Sequence, residues 1–232
     1  MSKIMIVNTS TDNFEGTSKP TGLWLGELVH FYDYFKSHNH KIDLFNINGD
    51  TTPIDPVSLK PLMLDSVTKA YFNDESFMEL LRSSKSIEEA NPAEYDVIYF
   101  TGGHGVMFDF PNNDTIQHAV NEVYNHDGVV AAVCHGIAAL LNVKDKNGRY
   151  FIDKRAITGF LNIEEVLANR KNIVPFMLES EIKRREARYS KAKIPFTPYV
   201  KVDNRLVTGQ NPQSPKQVAE AVDYILKNDV SE

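Results

Sequence analysis

One cysteine in 232 residues excludes an internal disulfide and any zinc site built on cysteine ligands. No apolar run approaches the roughly 18 residues that a membrane span needs. The short run 4–7 turns polar at Asn8, so a secretory signal is not expected. Lysine and arginine do not exceed the acids, and the net charge of −6 is dispersed, which argues against nucleic acid and against an anionic membrane surface as partners. No internal repeat or low-complexity tract is present. Histidine is missing from everything beyond residue 135. These absences point to the reducing cytoplasm and leave Cys134 free for chemistry.

What is present is an ordinary globular composition, 42% hydrophobic and 24% charged. Apolar, β-branched runs at 4–7, 42–45, 97–100 and 129–133 read as buried parallel strands. Helical patterns at 23–35, 115–125, 136–141 and 215–226 alternate with them, the pattern of a doubly wound α/β sheet. A hairpin is expected from 199–202 and 206–208, turning at Asp203-Asn204. One domain over 1–232 accounts for the length. Two stretches break the alternation: 47–93 with a helix at 75–82, and 161–196 with a charged helix at 179–188. Insertions of this kind shape lids, pocket walls or dimer contacts.

The run Val129–Val133 ends in Cys134-His135-Gly136 and is followed by a helical pattern. Small residues two before the cysteine (Ala132) and two after it (Gly136) suit a nucleophile elbow, a strained strand-to-helix turn that needs close approach. Such an elbow lifts the thiol out at the carboxyl edge of the sheet. It also sets the thiol at a helix N-terminus, which is expected to lower its pKa. The plain alternative is a buried structural cysteine.

Gly102-Gly103-His104-Gly105 follows the strand at 97–100, and its amides are candidates for an oxyanion hole. A phosphate loop is disfavoured because no Gly-Lys-Ser/Thr follows. Glu27 shares an apolar helix face with Leu23 and Phe31, so burial should raise its pKa and let it donate a hydrogen bond or move a proton. Any Cys–His pair must draw on His30, His38, His40, His104, His118, His126 or His135. His135 and His104 are the candidates, with Glu164 or Glu165 as the orienting acid. His38-Asn39-His40 reads as a solvated loop rather than a metal site, and 183–188 as a solvated charged face.

These segments together resemble the ThiJ/PfpI superfamily. The resemblance rests on Gly103-His104-Gly105 with Phe108-Asp109-Phe110-Pro111, on Ala131–Gly136, on Thr158-Gly159-Phe160 with Glu165, and on Val207-Thr208-Gly209-Gln210-Asn211-Pro212. Within it, the chain is most similar to the stress-induced branch of glutathione-independent glyoxalases (glyoxalase III), also described as chaperones and protein deglycases. The resemblance implies a flavodoxin-like sandwich, a homodimer, and no metal or cofactor. It implies a small reactive aldehyde, methylglyoxal or glyoxal, as substrate, and glycated or unfolded proteins as further partners. By residue, it implies Cys134 as nucleophile, His135 beside it, Glu165 orienting that histidine, Glu27 bonded to the sulfur, and the amides of Gly103 and His135 polarising the carbonyl. Ile137 stands where the branch usually has proline, Glu164 where a small residue is common, and 170–198 diverges. The rival readings are a holdase chaperone or cysteine redox sensor, a glutamine amidotransferase, and a peptidase. The amidotransferase is disfavoured by the absence of histidine after residue 135.

Overall fold

The computed structural model describes residues 1–228. Its main sheet has seven strands in the order β3 (Lys85–Ser86), β2 (Lys41–Asn46), β1 (Lys3–Asn8), β4 (Val97–Phe100), β5 (Val129–Val133), β9 (Leu206–Gly209), β8 (Val200–Asp203). All neighbours pair in parallel except β8 and β9, which form the expected antiparallel hairpin. Asp203 faces Leu206 across that turn, and Asn204 takes the left-handed conformation that so short a loop requires. Strands β4, β5 and β9 are buried along their whole length, which is why they read as unbroken apolar runs.

The helices of the sandwich are α1 (Leu25–Ser37), α5 (Asp114–Asn125) and α8 (Pro215–Asn228). Alternation along β4 sends successive side chains to opposite faces. Tyr99 stacks on Phe31 of α1 with ring centroids 3.7 Å apart, and Phe100 packs on Phe110 beyond the other face. Helix α8 packs on α1 and on β5 and β9, while α5 packs on β4 and β5. This is a doubly wound, flavodoxin-like α/β sandwich. The strand order reverses between β1 and β4, so the loops after these two strands part there and open a crevice.

The two irregular stretches frame that crevice. Residues 47–93 carry α2 (Ser66–Phe72), α3 (Glu75–Arg82) and the edge strand β3. The helix at 75–82 ends where expected, capped at its start by the Asp74 side chain. The four-residue helix α4 (Val106–Asp109) follows the glycine loop; α6 (Asn162–Leu167) and α7 (Leu178–Arg184) lie in the second stretch. A separate two-stranded sheet pairs β6 (Ala156–Ile157) with β7 (Arg188–Tyr189).

Two expectations need correction. The charged helix stops at Arg184 instead of Arg188, because Glu186 turns the chain in a left-handed conformation and Arg188 pairs with Ala156. Arg185 is therefore buried rather than solvated, bonded to Glu181 and Asn142. The segment after Cys134 is a 3-10 helix, Cys134–Leu140, tighter than the α-helix expected. Among the described residues, no helix is long and apolar enough to cross a membrane.

Candidate active site

Strand β5 delivers Cys134 to the carboxyl edge of the sheet in a left-handed conformation, φ 57°. A non-glycine residue held there costs on the order of 1–3 kcal/mol, so the surrounding packing must impose it. Gly136 makes the turn possible. A Cβ at this position would lie 2.5 Å from the carbonyl oxygens of both Phe100 and Thr101 at the end of β4. The chain thus folds tightly over the neighbouring strand, as the small residues around Cys134 predict.

Cys134 Sγ lies 3.3 Å from His135 Nδ1. His135 Nε2 is 2.6 Å from Glu165 Oε2, on α6. Burial opposes ionisation of Glu165, but His135 and His104 together outweigh it and hold the carboxyl well below the usual carboxylate range. An ionised Glu165 accepts from His135 Nε2–H, which leaves Nδ1 as the lone pair facing the thiol.

Glu164 points elsewhere, as consecutive helix positions must. Its carboxyl accepts from the backbone N–H groups of Leu161 and Phe196 and from the side-chain amides of Gln210 and Asn211. The geometry therefore couples Glu165, not Glu164, to His135. It also explains the segment Gly209-Gln210-Asn211-Pro212: two of its side chains tie the loop after β9 to α6.

Glu27 is fully buried in the first turn of α1. Burial raises its pKa to about 8, against the hydrogen bonds to Cys134 and Gly102. One oxygen, Oε2, accepts the Gly102 N–H at 2.8 Å; the other, Oε1, has no partner of its own. At neutral pH Glu27 thus keeps a proton to offer beside the sulfur. Burial, and next the proximity of Glu27, also push the Cys134 thiol well above its ordinary value, with only the His135 backbone N–H pulling it down noticeably. The direction is opposite to the lowering expected from a helix N-terminus, and its first cause is the desolvation of a cysteine only 2% exposed. A base is needed to ionise it, and His135 is in place.

The glycine loop divides. Gly103, at φ 101°, presses against Gly22 and Trp24, where any Cβ would collide with the Gly22 carbonyl; with His104 it lines the cavity. The Gly102 amide is committed to Glu27, so it does not serve as the oxyanion donor expected of it. Gly105 packs on Thr9 and Thr11 and is not part of the cavity wall. His104 turns its side chain to the acid, with Nε2 2.8 Å from Glu165 Oε1. Burial and the neighbouring His135 lower its pKa, so it stays neutral. His38 is exposed, and His40 accepts the Ser2 backbone N–H, away from the site.

Above the thiol opens a cavity of about 450 Å³. Trp24, Asp55, Val57, Lys60 and Met63, from early in the chain, and Phe160, Leu167, Arg170 and Phe196, from late in it, line the cavity. Both irregular stretches therefore supply walls. His104, His135 and Glu165 offer three potential metal-ligand atoms within 4.8 Å of one another. His104 Nε2 and His135 Nε2 are already bonded to Glu165, so a cation held through those two nitrogens would have to displace a ring proton at each.

The model of the DJ-1/PfpI family matches residues 27–223. The chain belongs to the DJ-1/PfpI family. Within it, the chain is 32% identical to "Glyoxalase 3" of Candida albicans, over 96% of this chain and 97% of the relative. It is 31% identical to "Glutathione-independent glyoxalase HSP31" of Saccharomyces cerevisiae, over 97% and 98% of the two chains. Among solved structures, the Rapid Encystment Protein 24 KDa of Francisella tularensis superposes with a TM-score of 0.93 at 40% identity, covering 97% of this chain and 99% of that one.

Proposed function

We propose that this DJ-1/PfpI protein is a glutathione-independent glyoxalase that converts methylglyoxal and water to lactate through Cys134. The observation that carries the reading is the Cys134–His135–Glu165 relay, with distances of 3.3 and 2.6 Å, at the floor of an open cavity. The named activity of the two curated relatives supports it.

The reaction starts from a thiol, since burial holds Cys134 protonated. His135 Nδ1 takes the S–H proton as sulfur attacks the aldehyde carbon. The Glu165 carboxylate stabilises the imidazolium that forms. Glu27 gives its proton to the carbonyl oxygen as the hemithioacetal is completed, and Gly103 and His135 backbone amides polarise that oxygen. Glu27, now a carboxylate, then takes the proton from the thiol-bearing carbon while the His135 imidazolium protonates the adjacent carbonyl oxygen, giving an enediol. Glu27 returns its proton to the second carbon as His135 takes the hydroxyl proton of the first. The first carbon is oxidised to a thioester and the second reduced to an alcohol, so no external redox partner is needed. Water hydrolyses the thioester, releasing lactate and restoring the thiol; Glu27 regains a proton from the water and His135 returns one to the sulfur. The scheme uses no metal and no cofactor, and we assign it to a cytoplasmic homodimer. Removal of free aldehyde would protect proteins from glycation, and direct deglycation is the same chemistry on a bound adduct.

The redox-sensor reading is weaker on physical grounds. It needs an exposed thiol of low pKa, whereas Cys134 is buried and its pKa is raised. The test is lactate formation from methylglyoxal by metal-free, glutathione-free protein beside Cys134→Ala. Lactate from the wild type alone supports the reading; equal rates from both, or none from either, reject it.

A further inference from the structure

The cavity is much larger than the substrate just assigned to it. Its volume of about 450 Å³ lies within the roughly 300–1,000 Å³ that holds a drug-sized ligand. Methylglyoxal fills no more than about four water volumes of ~30 Å³ each. The walls beyond the reacting groups are mostly apolar and aromatic: Trp24, Val57, Met63, Phe160, Leu167 and Phe196. A three-carbon, strongly hydrated dicarbonyl has no use for them.

Charge on the wall is the second observation. Lys60 and Arg170 both line the cavity, in a chain whose net charge is −6. Basic side chains elsewhere are commonly paired, as Lys183 is with Glu179 and Arg185 with Glu181. Among the described residues, neither Lys60 nor Arg170 has a carboxylate partner. Arg170 instead sits over the ring of Phe14, 4.9 Å from its centroid, and Phe14 packs on His104 at 5.5 Å. This stacking places a guanidinium two rings away from the reacting histidine and leaves its N–H fork unpaired. Asp55 is the one acid in the wall, and its oxygens are held by the Thr21 hydroxyl and the Val57 backbone N–H. The wall thus presents two cations against one internally bonded acid.

We propose that the cavity takes a 2-oxoaldehyde with an apolar body and an anionic group, carboxylate or phosphate, at the end remote from the reacting carbonyl. The aldehyde end meets Cys134, the body lies against Trp24, Phe160 and Phe196, and the anion is received by Arg170 and Lys60. A guanidinium fork suits either oxyanion. The inference rests on the glyoxalase reading for its reacting end only; the affinity for the anion stands apart from turnover.

Two measurements keep these separate. The first compares phenylglyoxal with its 4-carboxylate in initial-rate assays, with methylglyoxal as the reference. The carboxylate should have a kcat/KM higher by about tenfold, with the gain shrinking as salt is raised. Arg170→Gln and Lys60→Gln should each reduce the ratio by roughly threefold to fivefold. The ratio is read within one protein, so partial misfolding of a variant cancels, and Lys60 is exposed enough for its replacement to be tolerated. Equal or reversed kcat/KM values for the pair overturn the proposal.

The second measurement needs no catalysis. Trp24 is the only tryptophan of the chain and lines the cavity, so its fluorescence reports occupancy. Benzoate and phenyl phosphate should bind more tightly than neutral benzamide, and the better of the two identifies the anion. If methylglyoxal is not turned over yet the anions bind preferentially, the glyoxalase reading falls and the anion site stands. Equal binding of all three probes overturns the site whatever the enzyme does.

Discussion

His104 and His135 lie with ring centroids 4.2 Å apart and divide one carboxylate between them, His135 on Oε2 and His104 on Oε1 of Glu165. Each ring donates Nε2–H to the acid, so both keep Nδ1 as the acceptor. For His135 that acceptor faces the thiol; for His104 it is buried without a partner. The second histidine locks the acid, and the acid locks the tautomer of the first. Replacing Glu165 by Gln puts an amide NH2 against one of two ring N–H donors, so one ring must flip or change tautomer. Glu165→Gln should lower kcat by on the order of 10²- to 10³-fold, within the usual range for general acid–base groups. His104→Asn, which leaves the bond from His135 intact, should cost only about tenfold, both measured by steady-state lactate formation.

Glu27 makes a signed prediction with pH. Its pKa rises from 4.5 to about 8 on folding. The folded state therefore binds the extra proton between these values, and stability falls as pH rises through that window. The slope approaches about 1.4 kcal/mol per pH unit within it and vanishes outside. Glu27→Gln, which keeps the Gly102 bond but cannot ionise, should lose this dependence. Thermal melts of the two proteins should diverge steadily from pH 5 to 8, the variant gaining, and run parallel above that. A constant offset across the range would show that Glu27 is already ionised at neutral pH.

The same proton predicts the alkaline limb of activity. Once Glu27 ionises, near pH 8, the acid that protonates the carbonyl is lost and a negative charge stands beside the sulfur. Wild-type kcat should decline above that pH. In Glu27→Gln, kcat should be low throughout, with the decline absent.

The parts of the molecule legible in the sequence are those whose cause is local. Val129–Val133 reads as a central strand because five consecutive buried positions leave no alternation to find. Cys134-His135-Gly136 reads as an elbow because the steric demand falls on residues adjacent in the chain. Long-range partners escape. The Gly102 amide looks available until Glu27, 75 positions away, is folded against it. The charged pattern runs on to Arg188, but the pairing of that residue with Ala156 ends the helix early. Glu27, which helps push the thiol pKa up, likewise comes from a segment distant in the chain. Only folding brings Lys60 and Arg170 into one cavity.

The elbow can be tested without reference to activity. A methyl at Gly136 would press on two carbonyl oxygens of rigid strand-end backbone, and neither can retreat without breaking the approach of β4 and β5. Gly136→Ala should destabilise by about 3 kcal/mol or more in urea unfolding. Gly148 is a fair control: it has φ 78° but nothing within 4 Å of its would-be Cβ. Gly148→Ala bears only the conformational cost, about 1 kcal/mol. Similar losses for the two would mean that the turn at Gly136 can relax.

Glu164 and Glu165 are neighbours with separable consequences. Glu164 is fully buried and accepts four hydrogen bonds, from Leu161, Phe196, Gln210 and Asn211. Removing it strands donors on three segments at once: the start of α6, the loop carrying the cavity residue Phe196, and the loop after β9. Each unsatisfied buried donor costs about 1–3 kcal/mol, reduced where water can enter. Glu164→Ala should therefore lower stability by roughly 3 kcal/mol and raise KM, because a wall of the cavity loosens. Its kcat at low temperature should remain within about tenfold of wild type, since His135 still rests on Glu165. Glu165→Gln should show the reverse, a large loss of kcat with a smaller loss of stability. Matching profiles for the two variants in urea unfolding and steady-state kinetics would mean that α6 acts as one unit and that the division between anchor and relay is wrong.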